Sequence, residues 1–156
     1  MITINITGNQ KIEVAHLVLD FNGTLAIDGK LIEGTKPLLE LLSRQLTIHV
    51  VTADTFGTAK SELSGVKCQL KILDPKLQDM QKESYMFYLD EDHVVAIGNG
   101  LNDELMVKGA ALGIVVLQKE GVAMETFLDA DIVCTSILDA LELLLNPQRI
   151  VATLRK

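Results

Sequence analysis

His16-Leu17-Val18-Leu19-Asp20-Phe21-Asn22-Gly23-Thr24 is the stretch on which the fold turns. The short apolar run before Asp20 suits a strand buried on both faces of a parallel sheet. A carboxylate closing such a run is an odd choice for a core. Behind it, Asn22-Gly23-Thr24 supplies small polar and glycine residues that let backbone amides approach an anion.

The pattern repeats downstream. Residues 46–51 form a second apolar strand ending at Thr52, 66–73 a third, 93–97 a fourth ending at Gly98, 112–117 a fifth and 131–135 a last short one. Helical patterns lie between them. The stretch 36–45 has Pro37 near its start and leucines at 38, 39, 41 and 42. Others are 55–63, with Asp54 or Thr55 as N-cap, then 75–89, 103–110, 122–128 and 137–145. Pro147 breaks the last, and 148–155 reads as a final amphipathic turn or two. Alternating strands and helices predict an α/β fold, a parallel sheet with helices on both faces in three layers. Upstream, Met1 to Thr7 alternates as a strand, Gly8-Asn9 is a turn pair and 11–14 returns as a hairpin. Leu31-Ile32, bracketed by Gly29 and Gly34, predicts a small β flap after the Asp20 loop. With no linker, repeat or low-complexity tract, 1–156 reads as a single domain.

Hydrophobic residues make up 48%, enough for a core, and 21 acidic against 14 basic residues give a net charge of −7. That surface disfavours nucleic acid and anionic membranes as partners. Cys68 and Cys134 sit in apolar stretches without a partner at metal-ligand spacing, which reads as buried free thiols in a reducing compartment. No apolar run approaches the roughly 20 residues of a membrane span, and the alternating N-terminus is no signal peptide. The expectation is a cytoplasmic protein.

Ligands of open parallel sheets bind at the carboxyl ends of the strands. Asp20, Thr52 and the loop Gly98-Asn99-Gly100-Leu101-Asn102-Asp103 meet that edge. A carboxylate facing an amide-rich loop can attack phosphorus, although an Asx-turn explains Asp20 taken alone. Thr52 can offer a hydroxyl to a phosphate oxygen, whereas Asp54 reads as a helix cap. Gly98 and Gly100 suggest a turn with unusual dihedrals that aims side-chain oxygens at a hard cation such as Mg²⁺. The plain alternative is a connection in which Asn102 or Asp103 caps a helix. Lys82, 17 residues before Asn99, can neutralise phosphate charge, and Lys76 competes for that place.

In order and spacing, Asp-x-Asn-Gly-Thr after a strand, a strand ending in Thr, a lysine and Gly-Asn-Gly-x-Asn-Asp together resemble the four motifs of the haloacid dehalogenase (HAD) superfamily. The resemblance covers 14 to about 135. Val94–Asp103 is similar to the hinge motif of the P-type ATPase phosphorylation domain, and the chain resembles the stand-alone soluble P-type ATPases. It implies a Rossmann-like HAD-type fold and Mg²⁺-dependent phosphohydrolase chemistry through an aspartyl-phosphate. Asp20 would be the nucleophile. Asn22, Gly23, Thr52 and Lys82 would hold phosphate, while Asp20, the Asn22 carbonyl, Asn99 and Asp103 would hold Mg²⁺.

Two departures qualify it. Family phosphatases carry Asp at the position of Asn22 as general acid and base, a contribution of ~10²–10⁴ in rate, so slow turnover is expected. Asn99 stands where the family has Asp, which should weaken Mg²⁺ binding. Neither the 31 residues between Asp20 and Thr52 nor the stretch from Thr52 to Lys82 can house a cap domain. The open site would then take a phosphorylated small molecule or macromolecule, or be covered by a second subunit of a homo-oligomer. The alternative reading is a low-activity phosphate- or partner-binding regulatory module on the same fold. A receiver domain fits poorly, because no acidic pair precedes Asp20.

Overall fold

The computed structural model describes every residue except Thr7 and Asn9, and for Gln10 the backbone alone. The turn expected at Gly8-Asn9 therefore lies partly outside the described residues. β1 (Ile2–Ile6) and β2 (Gln10–Val14) form an antiparallel hairpin. Next come β3 (His16–Leu19), a small antiparallel flap of β4 (Ala26–Ile27) and β5 (Lys30–Leu31), and α1 (Thr35–Leu42). β6 (Thr47–Thr52), α2 (Ala59–Glu62), β7 (Gln69–Ile72), α3 (Gln78–Leu89) and β8 (Val94–Gly98) continue the chain. A 3₁₀ turn over Leu101–Asp103 leads into α4 (Glu104–Gly109). The chain closes with β9 (Leu112–Val116), α5 (Met124–Asp129), β10 (Ile132–Cys134), α6 (Ile137–Leu145) and α7 (Pro147–Leu154).

Six strands form the expected parallel sheet in the order β10-β9-β8-β3-β6-β7. β3 is the switch point, where connections run one way to β6 and the other way to β8, and such a point opens a crevice at the carboxyl edge. Period two then assigns faces. Leu17 and Leu19 join the larger core with Leu39 and Leu42 of α1 and Leu141 and Leu144 of α6. Val18 joins Val51, Met86 of α3 and Met106 of α4 on the other face. Asp20 has the parity of Val18, so its carboxylate is delivered to the α3 side. The sheet is thus covered on both faces, and β4–β5 with α1 is all that separates β3 from β6.

Several helices start later than their apolar pattern suggests. α2 begins at Ala59 because Asp54 (φ 51°) and Gly57 (φ 68°) turn left-handed and leave residues 53–58 as a loop. α3 begins at Gln78 because Leu77 (φ 53°) breaks the path from Pro75. A third difference follows from the sheet. β7 pairs on one side only, and its strand shrinks to Gln69–Ile72.

The sequence reading passed over a polar chain beneath α3. His16 Nδ1 lies 3.0 Å from His49 Nε2, and His49 Nδ1 lies 2.9 Å from the Tyr85 hydroxyl. His49 is 1% exposed. Burial first, then the neighbouring His16, lowers its pKa to about 4. A folded pKa below the unfolded 6.5 contributes stability that is full above pH 6.5 and is lost as pH falls through 4. Relative to His49→Gln, the protein should lose about 3 kcal/mol between pH 6.5 and 4. Urea unfolding of both proteins across that range checks this, and parallel curves would remove His49 as the cause.

Candidate active site

At the carboxyl edge, Lys82 Nζ lies between two carboxylates, 2.8 Å from Asp20 Oδ1 and 2.5 Å from Asp103 Oδ1. Lys82 and Asp103 are fully buried, and Asp20 is 6% exposed. Lys82 is the fifth residue of α3, on the face turned to the sheet, which is why an apolar helix stripe carries a cation here. Burial by itself would lower its pKa, but the charges of Asp103 and Asp20 and their hydrogen bonds outweigh that and raise it, so it is an ammonium. Burial, with the Asp103 charge second, pushes Asp20 up to about 7 against the opposing pull of Lys82 and the Phe21 amide. Lys76 is exposed, and its carbonyl accepts from Gln81. Of the two candidates, Lys82 is the one the fold brings to Asp20.

The second oxygen of Asp103 accepts the amide N–H groups of Asn99 and Gly100, both at 2.9 Å. Asp103 therefore folds the loop over itself, with both its oxygens committed. The glycines have a different cause from the one expected. Neither Gly98 nor Gly100 is left-handed. A Cβ at Gly98 would instead lie 2.5 Å from Asp103 Cγ, so the side chain is excluded by the carboxylate itself. Gly23 is left-handed (φ 83°), and a Cβ there would meet Asn99 Nδ2 at 2.4 Å. Its N–H, expected to meet phosphate, donates to Ala26 O at 2.7 Å.

Thr24 Oγ1 donates to Asn99 Oδ1 at 3.2 Å, and Asn99 Nδ2 to Gly121 O at 3.0 Å. The Thr52 hydroxyl accepts the Asp54 amide at 2.9 Å. Asp54 Oδ1 accepts the amides of Thr58 and Ala59, both at 3.0 Å, a capping role. Asp20, Asn22, Thr52, Asn99 and Gly100 line one cavity of about 210 Å³ together with Ala53, Thr55, Gln78, Asn102 and Glu120. Lys82 lies beneath this lining. Asn22 Oδ1 is buried and has no hydrogen-bond partner among the described residues.

Sequence reasoning missed two contributors, Glu120 and Gln118, and placed Thr24 in the Asp20 loop without its partner. Glu120 places the second carboxylate in the cavity wall and accepts the Asp28 amide of the flap at 3.0 Å. Gln118 Nε2 donates to Gly23 O and Thr24 O, both at 2.9 Å, while its Oε1 accepts the Ile137 amide at 2.8 Å. It ties the Asp20 loop to the start of α6. Thr24 is the link to Asn99. Glu120 and Gln118 were findable as polar residues just past a strand end, since both follow β9.

The donors suit a hard divalent cation in kind, because all are oxygens. They are poor in charge. Among the described residues no group of three His, Cys, Asp or Glu side chains is placed to hold a metal. Asp20, the Asn22 backbone carbonyl and Asn99 would serve, with Asp103 acting through the loop it folds. The fit is that of a weak site completed by a ligand's own oxygens.

No protein-family model matches the chain. It is 47% identical over 79 residues to the uncharacterized protein MJ0073 of Methanocaldococcus jannaschii, covering 51% of this chain and 80% of that one. Among solved structures, 3-deoxy-D-manno-octulosonate 8-phosphate phosphatase from Moraxella catarrhalis, in complex with magnesium, phosphate and KDO, superposes with a TM-score of 0.62 at 20% identity, covering 91% of this chain and 94% of that one. BT1666 from Bacteroides thetaiotaomicron, studied among phosphatases of the HAD superfamily, gives 0.62 at 12% identity, covering 91% and 96%. Among the described residues no helix is long and apolar enough to cross a membrane.

Proposed function

We propose, starting from a chain that belongs to one family with MJ0073 and has the fold of the HAD-family hydrolases, that it is a divalent-metal-dependent phosphohydrolase working through an aspartyl-phosphate on Asp20. The observation that carries this reading is the buried Lys82 bridging Asp20 and Asp103 at the switch-point strand. Such a constellation is costly to build and has little to recommend it as scaffold. The ionised Asp20 carboxylate would attack phosphorus, forming a P–O bond as the bond to the leaving group breaks. Lys82 would hold the carboxylate orientation and limit the charge that accumulates beneath it. Thr52 would donate its hydroxyl to a phosphoryl oxygen. Mg²⁺, held by Asp20, Asn22 and Asn99, would supply electrostatic neutralisation of the phosphoryl oxygens. The Moraxella enzyme, with magnesium and phosphate in its complex, is in keeping with that choice.

Proton transfer is the weak step. Asn22 offers no useful pKa, and Asp54 is occupied as a cap. Substrates with good leaving groups, such as aryl and acyl phosphates, should therefore phosphorylate Asp20 while the phosphoenzyme hydrolyses slowly. Asn22→Asp places a carboxylate where the Asn22 oxygen is buried, and burial raises a carboxyl pKa toward the range of a general acid. Turnover of an aryl phosphate should rise about 10²-fold, the lower end of such effects. Steady-state rates of the parent, Asn22→Asp and Asp54→Asn test this. No gain in the first with a large loss in the last would make Asp54 the base.

A further inference from the structure

A second cavity, about 460 Å³ and lined by Pro75, Gln78, Asp79, Leu101, Asn102 and Glu104, adjoins the phosphoryl cavity. The two share Gln78 and Asn102, and Asn102 Nδ2 donates to Gln78 Oε1 at 2.7 Å. A neutral amide pair thus forms the boundary between them. A phosphate monoester seated at Asp20 can carry its alcohol portion across that boundary, where the second cavity is large enough to receive it.

The charged side chains that line this path are all acidic, and Lys108, four residues on from Glu104 in α4, acts on Glu104 from outside the lining while paired to Asp129. Asp79 and Glu104 line the second cavity, Glu120 and Asp20 the first, and among the described residues no lysine or arginine lines either. Neither Asp79 nor Glu104 is in a salt bridge among the described residues. Lys82 is sealed beneath, already facing two carboxylates. Asp79 is the second residue of α3 and Glu104 the first of α4, so each also sits favourably in a helix first turn. The helix ends offset only part of the charge, since a helix N-terminus carries about half a unit of positive charge against a full negative charge on each side chain. Leu101, 56% exposed, and Pro75 add apolar surface beside the carboxylates.

We propose that this second cavity is the leaving-group subsite and that it selects phosphate monoesters whose alcohol bears a cationic amine, the phosphorylated amino alcohols, against those bearing a second anion. The inference rests on the phosphohydrolase reading for the placement of the phosphoryl group, and its test does not depend on turnover. Three hydrolysis-inert probes share a phosphonate and differ in tail charge: 2-aminoethylphosphonate, ethylphosphonate and phosphonoacetate. Titration calorimetry at fixed ionic strength with Mg²⁺ should rank them in that order, with roughly fivefold steps, the scale of partly screened ion pairs. In the double variant Asp79→Asn/Glu104→Gln the steps should shrink to within about twofold. Failure of all three to bind, an order that ignores tail charge, or a ranking that survives in the double variant overturns the subsite. Aryl phosphate turnover by the parent reports on the phosphohydrolase reading separately. A charge-ranked series without turnover would support the subsite and sink the catalysis.

Discussion

Replacing Lys82 by methionine is expected to cost about 3–5 kcal/mol of folding stability at pH 8, the range found when one partner of a buried ion pair is removed. The change leaves Asp20 and Asp103 facing each other in a buried site, with no other cation among their bonded partners. The sign with pH follows from the groups. Lys82 has a raised folded pKa, so its contribution is full below its ordinary value near 10.4 and is lost only as pH rises beyond it. Asp20 has a pKa raised to about 7 even with Lys82 present, and loss of the ammonium raises it further. At pH 5 Asp20 of the variant is therefore protonated, and the penalty should be visibly smaller than at pH 8. Urea unfolding at the two pH values reads this directly. Adding Asp20→Asn to Lys82→Met should recover part of the pH 8 loss. A single-variant cost below about 1 kcal/mol, the scale of an exposed pair, would mean that the three charges are not held together as described.

Asp20→Asn should abolish phosphoenzyme formation and lower aryl phosphate turnover on the order of 10⁴-fold or more, as loss of a nucleophile does. The same change should stabilise the metal-free protein. A carboxyl whose folded pKa is raised above its unfolded value contributes stability that is full below about pH 3.8 and lost as pH rises through about 7. Above pH 7 the parent therefore bears a penalty on the order of 4 kcal/mol that an amide avoids. Asparagine can still accept from Lys82, and Asp103 keeps the ammonium paired. Measured in EDTA at pH 8, Asp20→Asn should unfold at higher urea than the parent. A variant that is both inactive and less stable would make Asp20 a structural residue and remove the basis for calling it the nucleophile. The opposed signs in rate and stability are the expected mark of a site built for chemistry.

Much of the fold was legible because β3, β6, β8 and β9 are buried on both faces, and burial of that kind can be met only by continuous apolar runs. Their endings at Asp20, Thr52 and the loop 98–103 point to the carboxyl edge as the candidate site. Helix starts were misread where single residues took left-handed backbone, as at Asp54 and Leu77, since apolar periodicity carries no information about one φ angle. The HAD resemblance holds at the level of the fold. Its finer likeness to P-type ATPases is a matter of the motif residues.

The sequence by itself determined the α/β class, the edge at which the polar strand ends gather, and Asp20 as a carboxylate out of place after the apolar run it closes, while it left Lys82 beside Lys76 and Asp103 beside a helix-cap reading. Each is a local property, readable from a residue and its neighbours in the chain. Only the tertiary structure decided that Lys82 stands between the two carboxylates across separations of 62 and 21 residues. It likewise decided that Gly98 is glycine because of Asp103, that Glu120 reaches back to the flap and Gln118 to the Asp20 loop, and that His49 is neutral. The physical reason is common to all four. Coulomb energy, desolvation and close contact depend on distance in space, and the sequence fixes that distance only after β3 has been set between β6 and β8.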